Sequence, residues 1–520
     1  MAQKLSAGNP GQLTGNLVAI TAAAMSSALM SVLDISIVNV GLSDIRASFG
    51  TPLDQIAWVS TGYAMANITV IPMSGWLQRR FGIRKTLTFA ILMFTASSVA
   101  CGLAWNLPAL VIFRIIQGLG GGAIIPTAQA TLFGRFPREQ AGTAGALFGL
   151  GAITGPLLGP TIGGFLIDNL SWHWMFYVNI PIGLLGAALA WNSIKEEGFE
   201  ADEHPIDRWG VALLGVGMVS LQYVLEEGNR DGWLESPLIA FMLVVAVISL
   251  VTFVVHELEV ENPVVDLRVF KSRSYSAATI LNFLIGTVLF GGSFLYSLYC
   301  GAIMHYRALD IGLVFLKGSW IQLFLLPVVG KTLNKVDSRY YIFFGLLGVT
   351  LSTVLNANLT PAADAFTMTM PIFVRAVSLS FCFVPLTVVA LSGLAPRERG
   401  SATGLFNATR ELGGSIGTAW MSSRLTTNAK VHYTHIASHV DAYGTAAQEQ
   451  LRSLQGGFVG RVTDPVAASY AALSGRMNLQ ALSMAFSDGF TTLAALFLIS
   501  LVVVFFLAKP QASVDTSAAH

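Results

Sequence analysis

Charge is what this 520-residue chain has least of: Asp, Glu, Lys and Arg make up 11% of it. A soluble domain is about a quarter charged. This chain cannot cover itself for water, and lipid is the solvent its composition requires. Neither sign dominates, since the formal net charge is +1. That excludes the broad basic field of a nucleic-acid binder. Cysteine is scarce too. Cys101, Cys300 and Cys382 stand far apart in apolar runs, which speaks against a disulfide frame or a thiolate metal site and for buried thiols. No GxxxxGK[ST] phosphate loop occurs, so the chain is not expected to be driven by ATP itself. The "GLGGG" of residues 118–122 lies inside an apolar run, not after a strand, and is no nucleotide fingerprint. The polar first fifteen residues carry no cleavable-signal pattern. The first apolar run is too long for a signal core and is expected to stay as an anchor.

What is abundant is apolar sequence, with 53% hydrophobic residues and a mean hydropathy of +0.64. Runs near the length of a bilayer crossing recur at 16–40, 55–77, 86–106, 109–131, 142–166, 174–193, 209–227, 236–256, 276–303, 310–330, 340–359, 367–392, 402–423 and 483–507. These are fourteen expected spans. One alternate set of loops carries the basic residues, among them Arg79, Arg80, Arg84, Lys85, Arg135, Arg138, Lys195, Arg208, Arg268, Lys271, Arg273, Lys331, Lys335, Arg339, Arg397 and Arg399. The other short loops hold little beyond Arg46, Arg230 and Arg307. The basic set is therefore expected in the cytoplasm, together with both termini, marked by Lys4 and Lys509.

The spans divide into an N-terminal six-helix half (1–194), an acidic linker (195–208), an inserted pair with its following loop (209–274), a C-terminal six-helix half (275–509) and a tail (510–520). Two faint echoes support two related halves. Basic loops follow "GWLQRRFGIRK" and "GKTLNKVDSRYY", and an Arg precedes a Pro in both "IFRIIQGLGGGAIIP" and "IFVRAVSLSFCFVP". Parallel six-span repeats are a transporter signature. The long external segment 425–481 is polar and amphipathic. Its His432, His435 and His439 share a helical face, read as a solvated face or as part of a metal site that no neighbouring acid or cysteine completes.

The stretch "GAITGPLLGPTIGG" (151–164) places Gly151, Gly155, Gly159 and Gly163 four apart, with Pro156 and Pro160 between them. Residues four apart share a helix face. The ladder is therefore a groove for a second backbone, and the prolines bend a helix whose freed carbonyls protein must cover. Packing alone and a moving seam both fit.

Ionisable residues inside spans are costly unless paired or hydrated. Asp34 lies deep in the first span and is the leading proton-coupling candidate, set against a carboxylate held permanently by an ion pair. Glu411, beside Arg410, is the second. Arg375 falls where the echo puts a counterpart of Arg114. Arg375, Arg410, Asn39 and Tyr63 are substrate-cavity candidates. Glu226, Glu227 and Asp488 lie nearer the outer surface and read as interfacial anchors.

Taken in order, "LDISIVNVGL" (33–42), "GWLQRRFGIRK" (75–85), "FRIIQGLGGG" (113–122), "GAITGPLLGPTIGG", "WHWMFYVNIPIG" (172–183), "VLEEGNRDGW" (224–233), "VPLTVVALSGL" (384–394) and "NATRELGGSIGT" (407–418) resemble the fourteen-span drug:proton antiporter branch of the major facilitator superfamily. The resemblance implies an all-α membrane fold of two six-helix bundles plus two inserted helices. It implies proton-driven efflux of hydrophobic or amphipathic, including anionic, compounds, with the proton gradient in place of any cofactor. It also implies a periplasmic membrane-fusion protein and an outer-membrane channel as partners, hence a bacterial inner membrane, with 425–481 as a docking surface. It gives Arg114 a part in proton transfer or its tuning, against a purely structural arginine, and makes the glycine–proline stretch a bending seam between the halves. Two departures stand out. Arg79 replaces the usual loop Asp, and Lys317 replaces a common proline, so that it either contacts an anionic substrate, pairs with an acid or reaches outward. The rival readings are an exporter of a defined metabolite, such as a fatty acid or siderophore, and a membrane-bound transferase. The second would need clustered polar residues that this chain scatters singly.

Overall fold

The computed structural model describes residues 15–507, apart from 197–198, 200–201, 203, 334, 393, 396–397, 441–443 and 459–461. Lys4, Arg397, Lys509, the tail 510–520 and three linker acids, Glu197, Glu200 and Glu203, lie outside the described residues. Among those described, the regular structure is all helical. The N-terminal group is α1 (Gly15–Phe49), α2 (Trp58–Phe81), α3 (Ile83–Gly102), α4 (Leu107–Arg135), α5 (Ala141–Asn169) and α6 (Trp174–Ser193). The inserted pair is α7 (Arg208–Glu227) and α8 (Pro237–Glu259). The C-terminal group is α9 (Arg273–Ala302), α10 (Leu309–Thr332), α11 (Ser338–Ala357), α12 (Ala365–Ser392), α13 (Arg399–His439), α14 (Thr445–Phe458) and α15 (Pro465–Phe506). Local signals set several starts. Asn106 caps α4 at the Ala109 amide (2.8 Å), and Asp464 accepts from the Val466 and Ala467 amides ahead of α15 (3.0 Å each).

Twelve of these helices are long and apolar enough to cross a membrane. The expected spans two and thirteen appear as α2 and α13, helices of 24 and 41 residues that fall short on apolarity. The reason is their surroundings. They pack against each other between the two groups, and side chains such as Gln78, Asn407 and Arg410 are buried against protein. The segment 425–481 largely continues its flanking helices. At 41 residues, α13 is about 60 Å long, twice a bilayer core of about 30 Å. His432 Nε2 and Asn428 Nδ2 both meet Asp488 Oδ2, at 2.7 and 2.8 Å, tying α13 to α15. Among the described residues no group of His, Cys, Asp or Glu could hold a metal ion. The inserted pair is not peripheral to the core. Leu214, Met218 and Phe253 join the apolar cluster of the C-terminal group, and α7 packs on both α2 and α13.

The glycine–proline stretch is helical throughout, within α5. Its ladder, however, does not face the other half. A methyl group added at Gly151 would meet Met25 O of α1 at 2.9 Å, and one at Gly155 would meet Leu33 N at 2.8 Å. Gly159 abuts Ser36 and Gly163 abuts Ile37, both on α1 again. The seam between halves runs along a different face of the same helix. There Gly142 abuts Gly330, Gly149 faces Leu326, and Pro160 lies against Gly312, all on α10. Pro160 thus lies against the C-terminal group, whereas Gly151, Gly155, Gly159 and Gly163 lie against α1. Lipid supplies no hydrophobic force between helices, so small residues were needed on both faces.

Gly155→Ala should lower the thermal unfolding midpoint of the detergent-purified protein. The overpacking cost of about 1–3 kcal/mol exceeds the roughly 1 kcal/mol that alanine gains in helix propensity. Gly164→Ala, with only Leu309 Cδ1 at 3.8 Å, should leave the midpoint unchanged or raise it.

Candidate functional site

Four helices converge on Asp34. Arg114 Nη1 of α4 meets Asp34 Oδ2 at 2.5 Å, while Gln117 Nε2 and Asn179 Nδ2 donate to Oδ1 at 3.0 and 2.8 Å. Both charged side chains are essentially without solvent contact. Arg114 also donates to Val59 O (3.1 Å) and Gln117 Oε1 (2.8 Å), and its guanidinium lies 4.2 Å from the ring centre of Tyr63. Asn179 is held in turn by Ser98 Oγ at 3.0 Å. The two alternatives weighed for Asp34, coupling site or paired carboxylate, therefore meet in one place. Asp34 is paired, and it is paired with Arg114. The spacing Arg114-x-x-Gln117 puts both side chains on one helix face. Gln117 and Asn179 sit inside motifs that the sequence displays, yet as neutral residues they carry no cost signal that singles them out.

A second polar group spans the halves. Asn407 of α13 donates to Gln129 Oε1 of α4 at 2.5 Å, and Arg410 Nη2 donates to Asn407 Oδ1 at 2.7 Å. The Arg410 guanidinium lies 5.3 Å from the Phe383 ring, which stacks on Phe148 of α5 at 6.3 Å. Glu411 is half-buried and makes no direct hydrogen bond or ion pair among the described residues. It is within electrostatic reach of Arg410 and of Tyr63, which also feels Asp34 and Arg114. The structure thus joins Asp34, Arg114 and Tyr63 in one cluster of the N-terminal group and places Arg410 in a second at the contact between the groups.

The remaining candidates separate. Arg375 is buried, donates to Ser293 Oγ at 3.0 Å and lies 5.4 Å from the Phe315 ring, with no carboxylate partner among the described residues. Asn39 is exposed in the C-terminal half of α1 and accepts from Ser60 Oγ at 3.1 Å. Lys317 does not join the cluster. It is exposed, and helical spacing puts it on the face of α10 carrying exposed Phe324 and Val328, whereas Gly312 and Gly318 face α5 and α12. The outward alternative applies, and its long stem suits that position. Glu227 pairs with Arg230 at 2.6 Å and Glu226 accepts from Gln222 at 2.9 Å, as anchors do.

Arg79 is tied into the contact between halves. Its Nη1 donates to Ser401 Oγ in the first turn of α13 (2.5 Å), and its Nη2 to Pro263 O after α8 (3.0 Å). Beside it, Gly75 abuts Gly400 and Ser401, and Gly404 abuts Ser74. The halves are therefore drawn together at the basic-loop end. Arg79 links the N-terminal group, the C-terminal group and the loop of the inserted pair.

Two measurements check these arrangements. Arg114→Leu should cost about 3–5 kcal/mol by leaving Asp34 uncompensated, and adding Asp34→Asn should restore part of it. Strict additivity in this cycle would remove the pair's energetic role. Arg79→Ala should lengthen and broaden the distance distribution between spin labels placed at Gly134 and Lys331. An unchanged distribution would mean that Arg79 does not hold the basic-loop end shut.

The comparisons with known proteins agree with this architecture. The model of the Major Facilitator Superfamily matches residues 24–418. The multidrug export protein EmrB of Escherichia coli (strain K12) is 32% identical over 495 residues, covering 95% of this chain and 96% of that one. The fatty acid resistance protein FarB of Neisseria gonorrhoeae is 31% identical over 420 residues, covering 81% of this chain and 83% of that one. Among solved structures, the human organic anion transporter MFSD10 superposes with a TM-score of 0.61 at 11% identity, over 95% of this chain and 100% of that one, and so shares the fold. The chain belongs to the major facilitator superfamily and is a multi-pass membrane transporter similar to EmrB, not an enzyme.

Proposed function

We propose that this chain is a drug:proton antiporter that exports hydrophobic or amphipathic compounds across a bacterial inner membrane. The observation that carries the reading is the buried Asp34–Arg114 pair, a carboxylate and a guanidinium sealed from solvent inside the N-terminal group. A proton arriving from outside adds to an Asp34 oxygen and leaves Arg114 without its counter-charge. Arg114 then retains only its neutral partners, Val59 O and Gln117 Oε1, and this change of charge balance drives rearrangement of the helices around it. The proton gradient is the energy source and no cofactor is needed. The names of EmrB and FarB support export of lipophilic compounds.

Fourteen helices cross the bilayer in this reading, α2 and α13 included, with the basic loops and termini in the cytoplasm. Tight packing of Gly142 on Gly330 and of Gly75 on Ser401 at the basic-loop end, with Asn39 and Glu226 exposed at the other, fits a state open to the outside. The projecting parts of α13 and α15 with α14 give a periplasmic membrane-fusion protein a surface to dock on, with an outer-membrane channel beyond. A narrower reading, export of a defined lipophilic acid, draws on FarB's name and on Arg375, a buried cation with no acid partner among the described residues.

In inverted membrane vesicles carrying a pH gradient, substrate addition should release protons through the wild-type chain. Asp34→Asn should reduce this to the level of vesicles without the protein, at equal membrane insertion. Retained proton release would remove Asp34 from the coupling. In the same vesicles Arg375→Gln should weaken transport of anionic dyes more than cationic ones, and Lys317→Ala should change neither. Equal loss for both dye classes would argue against the acid-export reading.

A further inference from the structure

The N-terminal group carries a large groove that the transport reading does not use. It has a volume of about 1110 Å³ and is walled by α2, α3, α4 and α6. Its walls are apolar, including Phe89 (68% exposed), Leu184 (54%) and Leu119 (39%). It lies away from Asp34, on a flank where these side chains meet the bilayer. One end is different. There Lys85, Thr86 and Asn192 border the groove, at the basic-loop ends of α3 and α6. Lys85 is exposed and makes no ion pair among the described residues. Next to it the Arg84 guanidinium lies 4.0 Å from the ring centre of Trp191, another groove residue. Glu196, just after α6, accepts from the Arg84 amide at 2.8 Å.

We propose that this groove is a binding site for one anionic phospholipid of the leaflet facing the basic loops, its acyl chains between α2, α3, α4 and α6 and its phosphate at Lys85. The chemistry is complementary at both ends. Acyl chains match a wall almost without polar surface. The phosphate finds the Lys85 ammonium with its three donors, and Asn192 beside it. Basic pockets between transmembrane helices at a cytoplasmic face are general seats for anionic headgroups. Trp191 sits at the polar end, where its indole suits the headgroup level. A net-neutral lipid would bring its own cation to a rim that already holds Lys85 and Arg84, so the site discriminates by charge. The inference needs helices that cross a bilayer, and it is independent of proton coupling.

Native mass spectrometry of the detergent-purified full chain, titrated with phosphatidylglycerol or phosphatidylcholine, tests it. Wild-type protein should retain phosphatidylglycerol in preference. Lys85→Gln should weaken that binding about fivefold, the effect of one lysine at a membrane surface. Ala188→Trp, which fills the groove from an exposed position, should weaken binding of both lipids while the thermal midpoint holds. Lys335→Gln, in a different basic loop, should change nothing. Equal retention of the two lipids, an equal loss in Lys335→Gln, or full binding in Ala188→Trp would each overturn the proposal.

Discussion

Backbone-to-backbone contact is the constraint on which the rest of this structure depends. In lipid, one apolar helix gains nothing from water by leaning on another, so association rests on close van der Waals packing and on buried polar bonds. Helix α5 meets that demand twice. One glycine row admits α1 and makes the N-terminal group a unit. The other small positions admit α10, beside an apolar cluster of Ala146, Leu326, Val329, Leu333 and Val384 that joins the two groups. A helix of this kind is weak by propensity and strong by placement. Its glycines and prolines are tolerated because protein covers them on both flanks.

Placed inside that frame, the charges take different parts. Asp34 and Arg114 belong wholly to the N-terminal group and satisfy each other with help from Gln117 and Asn179. Arg410 and Asn407 belong to the C-terminal group but reach Gln129, Phe383 and, through it, Phe148 at the interface. Tyr63 lies under the Arg114 guanidinium, with its ring centre 4.2 Å away, and so belongs to the Asp34 cluster. Asn407 and Arg410 therefore link the two groups, through Gln129 of α4 and through the Phe383–Phe148 stack.

The sequence displays the fold plainly, because spans of apolar residues and alternating basic loops follow from bilayer thickness and charge alone. The helices α2 and α13 show the limit of that signal. Both appear as runs, yet their polar residues are explained only by the neighbours they face. Asp34, Arg114, Glu411 and Arg410 are legible for the same reason, since a charge in an apolar run is expensive. The direction of a side chain is not. The ladder from Gly151 to Gly163 reads as a groove, but its occupant is another segment of chain, and periodicity cannot tell α1 from α10. Lys317 fails in the same way. Its position along α10 is visible in the sequence, and its outward azimuth depends on where α5 and α12 lie.

The inserted pair changes what the two edges of the molecule can do. Helix α7 lies against both α2 and α13, Asn229 holds Ser422 at 3.0 Å, and Trp58 packs on Tyr223 at 5.9 Å. A compound dissolved in the bilayer that drifts toward the centre from this flank meets a third helix laid across the joint. On the opposite flank α5 and α10 meet directly, along Gly142–Gly330, Gly149–Leu326 and Pro160–Gly312, and among the described residues the inserted pair packs on neither. The two edges of the joint are thereby unlike, one overlaid by a third helix and the other a direct contact of two, an asymmetry that two matching halves alone would lack.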